Sequence, residues 1–333
     1  MTGVRFGYFL SCEEYSPEQL VDQAVRAQAA GFEALCISDH YHPWNDAQGQ
    51  SPFVWSVIGA ISQVCSLPVL TAVTCPTVRI HPAVVAQAAA TASVMLEGGL
   101  TLGVGSGEAL NEHILGSGWP HADVRLEMLE EAVSVMRQLF TGEVVSHRGR
   151  HYEVDTARLY TLGEPPQIYL SAFGPKALEL AGRIADGLVT TTSDAEAVSQ
   201  FRAVRGADAP AVAAFKVAWA SSKDEGIDHA HRLWANAGIP GELAQVLPTP
   251  QHFEQASELV TRESTASSIT AGSDVTEHVR AYEPYVEAGL DTIYVANMGP
   301  NYRDMIDGYG AEVLPELRRR HEASADASGV VSR

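Results

Sequence analysis

Two short apolar segments of the chain each end in side chains that can carry out acid–base chemistry. Residues 34–37 lead into Asp39 and His40, and residues 100–104 lead into a glycine-rich loop that ends at Glu108. An imidazole exchanges a proton near neutral pH, and a carboxylate acts as an acid, a base or a charge stabiliser. If both segments are parallel strands, their carboxyl ends meet at one edge of a sheet or one mouth of a barrel. The pattern therefore predicts an α/β enzyme.

Each of these residues also has an ordinary structural interpretation. Asp39 can cap a helix and leave His40 at the surface, and Glu108 can begin a helix whose dipole favours a carboxylate. His40, His42 and Glu108 could alternatively bind a metal ion in a barrel hydrolase, although Pro43 follows His42 directly. These alternatives stay open at this point.

Two further segments suit a ligand. The glycines at residues 103–107 let the backbone approach a bound group closely, but their spacing differs from the dinucleotide and nucleotide-hydrolase motifs. Gly174 and Lys176 offer a turn and a cation at a predicted helix start, which suits a phosphate or a carboxylate, and a solvated lysine explains them equally well. Trp44 shares a loop with His40, so its indole could wall off a substrate.

Composition narrows the classes of function. The 333 residues carry a formal net charge of −19, and such a surface repels nucleic acid and anionic membranes. The sequence shows neither a membrane-spanning apolar run nor a signal-peptide pattern, so we expect a cytoplasmic protein. The four cysteines lack metal-ligand spacing and are expected to be free thiols: Cys12, Cys36, Cys65 and Cys75.

Strand and helix patterns alternate along the chain and predict a (β/α)8 TIM barrel. The eight strands are expected at residues 4–10, 34–37, 69–73, 101–104, 167–172, 187–191, 212–218 and 292–296. A helical insertion at about residues 223–273 separates the last two strands, residues 1–321 form a single domain, and residues 322–333 form a disordered tail. Residues that follow the strands should then share one rim: Asp39, Cys75, Glu108, Phe173, Thr191, Trp219 and Asn297.

Four motifs together resemble the deazaflavin-dependent branch of the bacterial luciferase-like superfamily. They are residues 38–44 (SDHYHPW), 74–79 (TCPTVR), 105–112 (GSGEALNE) and 173–176 (FGPK). The likeness is to the coenzyme F420-dependent glucose-6-phosphate dehydrogenase family and to the related F420-dependent alcohol dehydrogenase. It covers most of the chain and implies a luciferase-like barrel, a homodimer, and hydride transfer between an alcohol or sugar carbon and the deazaflavin ring.

The resemblance also implies roles for individual residues. His40 would be the base that takes the hydroxyl proton, Glu108 its acid partner, and Trp44 would stabilise the reacting centre. Thr191 matches a substrate-contacting threonine, and a non-proline cis peptide would fall at Ala72–Val73. The implied cofactor contacts are Asp39, Val73, Cys75, Ser106, Gly107, Asn111, Phe173, Gly174, Lys176 and Ala177.

The chain departs from the sugar-phosphate enzymes where those grip the phosphate. Asp194 stands where a basic residue is expected after Thr191, and Gln255 stands at the best match for a second one. An acidic residue in a phosphate pocket costs affinity, so we expect a neutral sugar, a secondary alcohol or a hydroxylated natural product instead of glucose 6-phosphate. An FMN-dependent luciferase-like monooxygenase or reductase and a non-catalytic ligand carrier are the remaining alternatives.

Overall fold

Eight parallel strands close into a barrel at the centre of the computed structural model, which describes residues 3–329. The strands in chain order are β1 (Arg5–Leu10), β2 (Ala34–Ile37), β3 (Val69–Thr71), β4 (Leu100–Val104), β5 (Val145–Arg148), β6 (Glu153–Ala157), β7 (Gln167–Ser171), β8 (Gly187–Thr190), β9 (Ala211–Ala218), β10 (Thr270–Ala271) and β11 (Thr292–Asn297). The barrel order is β1-β2-β3-β4-β7-β8-β9-β11, and β11 pairs back onto β1. The predicted (β/α)8 TIM barrel is confirmed.

The three remaining strands lie outside this ring. β5 and β6 form an antiparallel hairpin, and the two-residue strand β10 pairs in parallel with β9. All eight barrel strands were expected from the apolar runs of the sequence, since parallel strands buried on both faces read as nearly continuous apolar segments.

Helices cover the outside of the barrel and connect its strands. They are α1 (Pro17–Ala30), α2 (Val54–Ile61), α3 (Pro82–Met95), α4 (Ala109–Glu112), α5 (Ala122–Leu139), α6 (Pro175–Ile184), α7 (Ala195–Arg205), α8 (Lys223–Trp234), α9 (Leu243–Val246), α10 (Pro250–Ser257), α11 (Arg262–Ser268), α12 (Val275–Glu287), α13 (Tyr302–Gly308) and α14 (Leu314–Gly329). Local sequence sets their ends: Ser16 and Gln19 form a capping box at the start of α1, and Gly31 ends that helix at φ 93°.

Large side chains fill the interior of the barrel away from the carboxyl ends of its strands, and smaller side chains leave a cavity near those ends. Tyr169 and Tyr294 are buried inside the ring. Glycine makes room for Tyr169, because a Cβ at Gly187 would lie 2.6 Å from its Cδ1 atom. Nearer the carboxyl ends of the strands, Ala72 and Ala214 face inward and line a cavity. The fold therefore closes the barrel at one end and opens it at the other.

The chain between β9 and β11, where the insertion was predicted, holds α8 to α12 and the short strand β10. The tail predicted at residues 322–333 falls partly on α14, which continues to Gly329, and residues 330–333 lie outside the described residues. All four cysteines are free. No helix within residues 3–329 is both long and apolar enough to cross a bilayer.

Candidate active site

A cavity of about 630 Å³ opens at the carboxyl ends of the barrel strands. This volume falls within the range of small-molecule sites, roughly 300–1,000 Å³. Strand-end loops form its floor, and residues of the insertion between β9 and β11 form one wall. The predicted rim residues that line it are Asp39, Cys75, Glu108, Phe173 and Thr191.

Two of the predicted rim residues lie at the rim but do not line the cavity. Trp219 follows β9 and Asn297 ends β11 at the same end of the barrel, but neither lines the cavity. The Trp219 backbone N–H donates to Oδ1 of Asn297 at 3.1 Å, and the Trp219 ring packs 4.9 Å from the ring of His278. Both side chains are buried in the packing behind the wall, since the end of a strand fixes a position but not the direction of the side chain.

His40 lies in the cavity between two carboxylates. Its Nε2 atom is 3.3 Å from Oε1 of Glu13 and 3.9 Å from Oε2 of Glu108. Its Nδ1 atom is 3.1 Å from the backbone carbonyl of His42, and the ring of Trp44 lies 4.9 Å away at a tilt of 57°. Nε2 therefore faces two carboxylates, and Nδ1 lies beside a backbone carbonyl that can accept its proton.

Asn111 ties the His40 loop to the Glu108 loop. Its Oδ1 atom accepts hydrogen bonds from the backbone N–H groups of Tyr41 and His42 at 2.9 and 3.2 Å. That pairing assigns the amide orientation and turns Nδ2 toward Nδ1 of His40 at 3.2 Å and Oε2 of Glu108 at 3.4 Å. Asn111 also lines the cavity, so it both positions the histidine and is exposed to a ligand.

Glu13 is a site residue that sequence reasoning missed. Its carboxylate accepts a hydrogen bond from Oγ of Ser38 at 2.7 Å, and that hydroxyl oxygen accepts one from the Cys12 backbone N–H at 2.9 Å. The side chain is only 4% exposed and lines the cavity. The signal was available, because Glu13 follows β1 just as Asp39 follows β2.

Glu108 resists ionisation. Burial raises the pKa of its carboxyl group, the neighbouring carboxylates of Glu13 and Glu112 raise it further, and His40 and Lys216 oppose the effect. The side chain keeps 32% of its surface exposed, and that surface faces the cavity. Glu108 can therefore carry a proton at a higher pH than an ordinary glutamate, as an acid partner must.

Asp39 is held from below by a buried ion-pair network. Nη2 of Arg79 lies 2.8 Å from Oδ1 of Asp39, and Oγ1 of Thr74 donates to Oδ2 at 2.8 Å. Arg79 also reaches Glu112, whose Oε2 atom accepts its backbone N–H at 2.6 Å. Burial raises the pKa of the Glu112 carboxyl group, and the contacts from Arg79 counter that rise. The network fixes the loops after β2 and β3 beneath the cavity.

Lys216 is a second site residue that the sequence did not reveal. It lies in β9 and lines the cavity, and its Nζ atom is 4.5 Å from the centre of the Trp234 ring. Burial lowers the pKa of its ammonium group, while the carboxylates of Glu13 and Glu108 raise it. A lysine near the end of an otherwise apolar strand was the signal.

The glycine loop and the loop after β7 form the opposite side of the cavity. Gly107 has a φ of 89°, a conformation that favours glycine, and a Cβ at Gly105 would lie 2.7 Å from Cγ2 of Val73. The Ala72–Val73 peptide is cis, at the position that the resemblance implied. The predicted cofactor contacts that line the cavity are Asp39, Val73, Cys75, Ser106, Gly107, Asn111, Phe173, Gly174 and Ala177.

The structure places Lys176 elsewhere. Its Nζ atom is 2.6 Å from Oδ1 of Asp123 on the outer surface, in a shallow groove between α5 and α6, and it does not line the cavity. The side chain begins at the first turn of α6 but turns away from Gly174 toward the neighbouring helix. Lys176 therefore forms a surface ion pair with Asp123.

His42 does not join His40 at the cavity. Its Nδ1 atom lies 2.9 Å from the carbonyl of Leu110, and its ring stacks on His113 with 6.0 Å between centres. Within residues 3–329, no three His, Cys, Asp or Glu side chains are arranged to hold a metal ion. The geometry therefore gives the metal-hydrolase alternative no ligand set to use.

Comparison with known proteins places this chain in one family. Residues 4–292 match the model of the luciferase-like monooxygenase family, and the chain belongs to that family. It is 33% identical over 329 residues to an F420-dependent glucose-6-phosphate dehydrogenase of Nakamurella multipartita, covering 95% of this chain and 97% of the relative. A relative of the same description from Microbacterium testaceum is 34% identical over 331 residues, covering 95% and 98%.

Solved structures agree with the fold. An F420-dependent secondary alcohol dehydrogenase, solved in complex with an F420–acetone adduct, superposes with a TM-score of 0.88 at 29% identity, covering 95% of this chain and 99% of that one. An F420-dependent tetrahydromethanopterin reductase from Methanopyrus kandleri superposes with a TM-score of 0.75 at 20% identity, covering 95% and 100%. The second likeness supports the barrel alone.

Proposed function

We propose that this chain is an F420-dependent oxidoreductase that transfers a hydride between the carbinol carbon of a neutral alcohol and the deazaflavin ring. His40 acts as the base and Glu108 as its acid partner. The observation that carries the proposal is the meeting of His40 with two carboxylates in a cavity at the strand ends, with Nε2 3.3 Å from Glu13 and 3.9 Å from Glu108. Relatives named as F420-dependent dehydrogenases support the cofactor.

The cavity fits such a cofactor. Val73, Cys75 and Ser106 would contact the deazaflavin ring and its side chain, and Gly107 lets the backbone come close to the cofactor. A Cβ at Gly174 would meet nothing within 4 Å, so open space adjoins the N-terminus of α6. Backbone N–H groups at a helix N-terminus bind an anion without a lysine, which suits a phosphate in a protein of net charge −19. When bound, the deazaflavin exchanges a hydride at a ring carbon.

The side chains of the chain manage the proton. With Nδ1–H of His40 donating to the His42 carbonyl, Nε2 is free to take the hydroxyl proton, and the carboxylate of Glu13 stabilises the resulting imidazolium. Such general-base assistance contributes about 10²–10⁴-fold in rate. Trp44 lies against the His40 ring and packs on Phe253 of the insertion at 4.9 Å. Trp44 thereby holds the imidazole in place and excludes water from one side.

The wall of the cavity suits a neutral substrate. Asp194 is the N-cap of α7, and its Oδ1 atom accepts hydrogen bonds from the backbone N–H groups of Glu196 and Ala197 at 2.9 and 3.1 Å. Gln255 lies on α10 and does not line the cavity. Among the described lining residues, Lys216 is the one lysine or arginine, and the insertion contributes hydroxyl and apolar groups that include Ser264, Thr265, Ser268, Thr270, Val260 and Ile269.

A cofactor and substrate panel tests the proposal. We expect the purified chain to bind oxidised F420 in a fluorescence titration and to reduce it with secondary alcohols or unphosphorylated sugars, and to work poorly with glucose 6-phosphate. Thr191, which lines the cavity, would contact the alcohol or unphosphorylated sugar. Saturable binding of FMN without binding of F420 would instead support a flavin monooxygenase or reductase. Failure to bind either cofactor would contradict the proposal and favour a ligand carrier.

A further inference from the structure

Lys216 presents a cation that the proton transfer described above does not use. It lies near the carboxyl end of β9 and lines the cavity together with Ala214 and Phe215. Its ammonium group lies over the ring of Trp234, which also lines the cavity. Within the part of the chain that the structure describes, its Nζ atom has no hydrogen bond and no ion pair at contact distance. Its N–H donors are therefore available to a bound ligand.

The charges around Lys216 connect it to His40. The carboxylates of Glu13 and Glu108 favour its protonated form, against the effect of burial. These same carboxylates lie beside Nε2 of His40. Lys216 and His40 line the same cavity, so a ligand bound there can meet both. Lys216 is partly exposed to the cavity, and charged groups whose pKa is shifted by burial and by neighbouring charges concentrate at functional sites.

We propose that Lys216 is a catalytic residue that donates a hydrogen bond to the substrate oxygen, the same oxygen whose proton passes to His40. This inference rests on the proposed function. In alcohol oxidation the O–H bond breaks and the proton goes to Nε2 of His40. The C–H bond breaks with its electron pair, which leaves as hydride to the cofactor, and the C=O bond forms. Lys216 keeps its proton throughout and stabilises the negative charge that develops on the oxygen.

A role in charge balance is the competing explanation. Lys216 could serve only to offset the negative charge of Glu13 and Glu108. In that case its removal would alter stability or cofactor affinity, but it would leave the recognition of a carbonyl oxygen intact. A test must therefore separate ligand recognition and the chemical step from folding.

The first experiment uses the cofactor-free chain. Isobutyramide is a neutral carbonyl analogue, and its binding is followed by the fluorescence of the cavity tryptophans, Trp44 and Trp234. We expect the affinity of Lys216→Met to be about tenfold weaker or more, because a hydrogen bond to a charged donor is lost. Lys223→Met is the matched control, since that exposed lysine pairs with Glu277 at 3.1 Å and does not line the cavity. Equal affinity in wild type and Lys216→Met, or no binding by wild type, would overturn the inference.

The second experiment follows the chemical step. With an alcohol that wild type oxidises, Lys216→Met should lower kcat about 10²-fold, as loss of one oxyanion donor does. Its affinity for F420 should stay unchanged, and its isotope effect with the carbinol-deuterated alcohol should be at least as large as in wild type. Near-wild-type kcat contradicts the inference, and Lys216→Gln replaces the methionine variant if that one fails to fold. If wild type reduces F420 with none of the alcohols tested, the proposed function is contradicted. The isobutyramide titration then still decides whether Lys216 binds a carbonyl oxygen.

Discussion

Nε2 of His40 lies 3.3 Å from Oε1 of Glu13, a glutamate delivered by the strand next to the one that delivers the histidine. Glu13 is almost fully buried, and its second oxygen is held by Oγ of Ser38 at 2.7 Å. The carboxylate is therefore fixed in direction before any substrate arrives. A fixed charge beside an imidazole stabilises the protonated ring at no cost of reorganisation during the reaction.

Replacing Glu13 should impair catalysis without loss of cofactor. Glu13→Gln keeps the shape of the side chain and removes the charge that stabilises the His40 imidazolium. We expect kcat for alcohol oxidation to fall about tenfold to hundredfold, with little change in the F420 dissociation constant. Steady-state kinetics together with a fluorescence titration check this result. An unchanged kcat would show that the contact is structural only.

The proposed acid–base pair should respond as a pair. His40→Ala and Glu108→Gln should each lower kcat by about 10²-fold or more, because each removes a group that takes part in proton transfer. The double variant should lose much less than the product of the two single effects, since residues that act as a unit are not additive. Glu277→Gln, which changes an exposed glutamate on α12, is the control. Near-wild-type turnover in both single variants would remove these residues from the mechanism.

The barrel was predictable because its signal is local and repeated. Apolar runs such as residues 34–37 and 100–104 recur between helical segments, and each run became a strand. The strand-end rule also identified Asp39 and Glu108 as cavity residues. The same rule applies to Glu13, which comes three residues after the end of β1.

Direction and long-range contact were not predictable. Trp219 and Asn297 occupy strand ends but point into the packing, and Lys176 turns outward to Asp123. Lys216 required the inward register of β9, which depends on how the whole barrel closes. The directions of these side chains arise from tertiary packing among segments far apart in the sequence. A local pattern, such as the lysine within the apolar strand β9, therefore marks a candidate residue but not where its side chain points.

The capping role of Asp194 predicts a stability effect separate from substrate recognition. Asp194→Ala removes the side-chain acceptor for two N–H groups of α7. We expect a loss of about 1 kcal/mol in the free energy of unfolding. The KM for a neutral alcohol should stay unchanged. Asp194→Asn, which retains the acceptor oxygen, should recover most of the stability. Chemical denaturation and steady-state kinetics measure the two effects independently, and a marked rise in KM would place Asp194 in the substrate site.

Arg79 should be critical for folding stability. It lies between the buried carboxylates of Asp39 and Glu112, and its side chain is only 7% exposed. Arg79→Met leaves both acids without their cation, which costs on the order of 3–5 kcal/mol in the free energy of unfolding. Arg202→Met, which breaks a more exposed pair with Asp291, should cost much less. If Arg79→Met and Arg202→Met lose similar amounts of unfolding free energy in urea denaturation, the buried network is not critical for stability.

Glu14 should make the stability of the protein depend on pH. Its carboxylate accepts the Trp234 indole N–H at 2.7 Å and the Gly299 backbone N–H at 2.6 Å, and burial raises its pKa from 4.5 to about 7. Between these values the unfolded chain is ionised while the folded carboxyl group keeps its proton, so folding is favoured at low pH and this advantage is lost as the pH rises through about 7. We expect the free energy of unfolding of wild type to fall by on the order of 2 kcal/mol between about pH 5 and about pH 7.5 relative to Glu14→Gln. Parallel urea denaturation curves for the two proteins that keep a constant separation across this range would contradict the prediction.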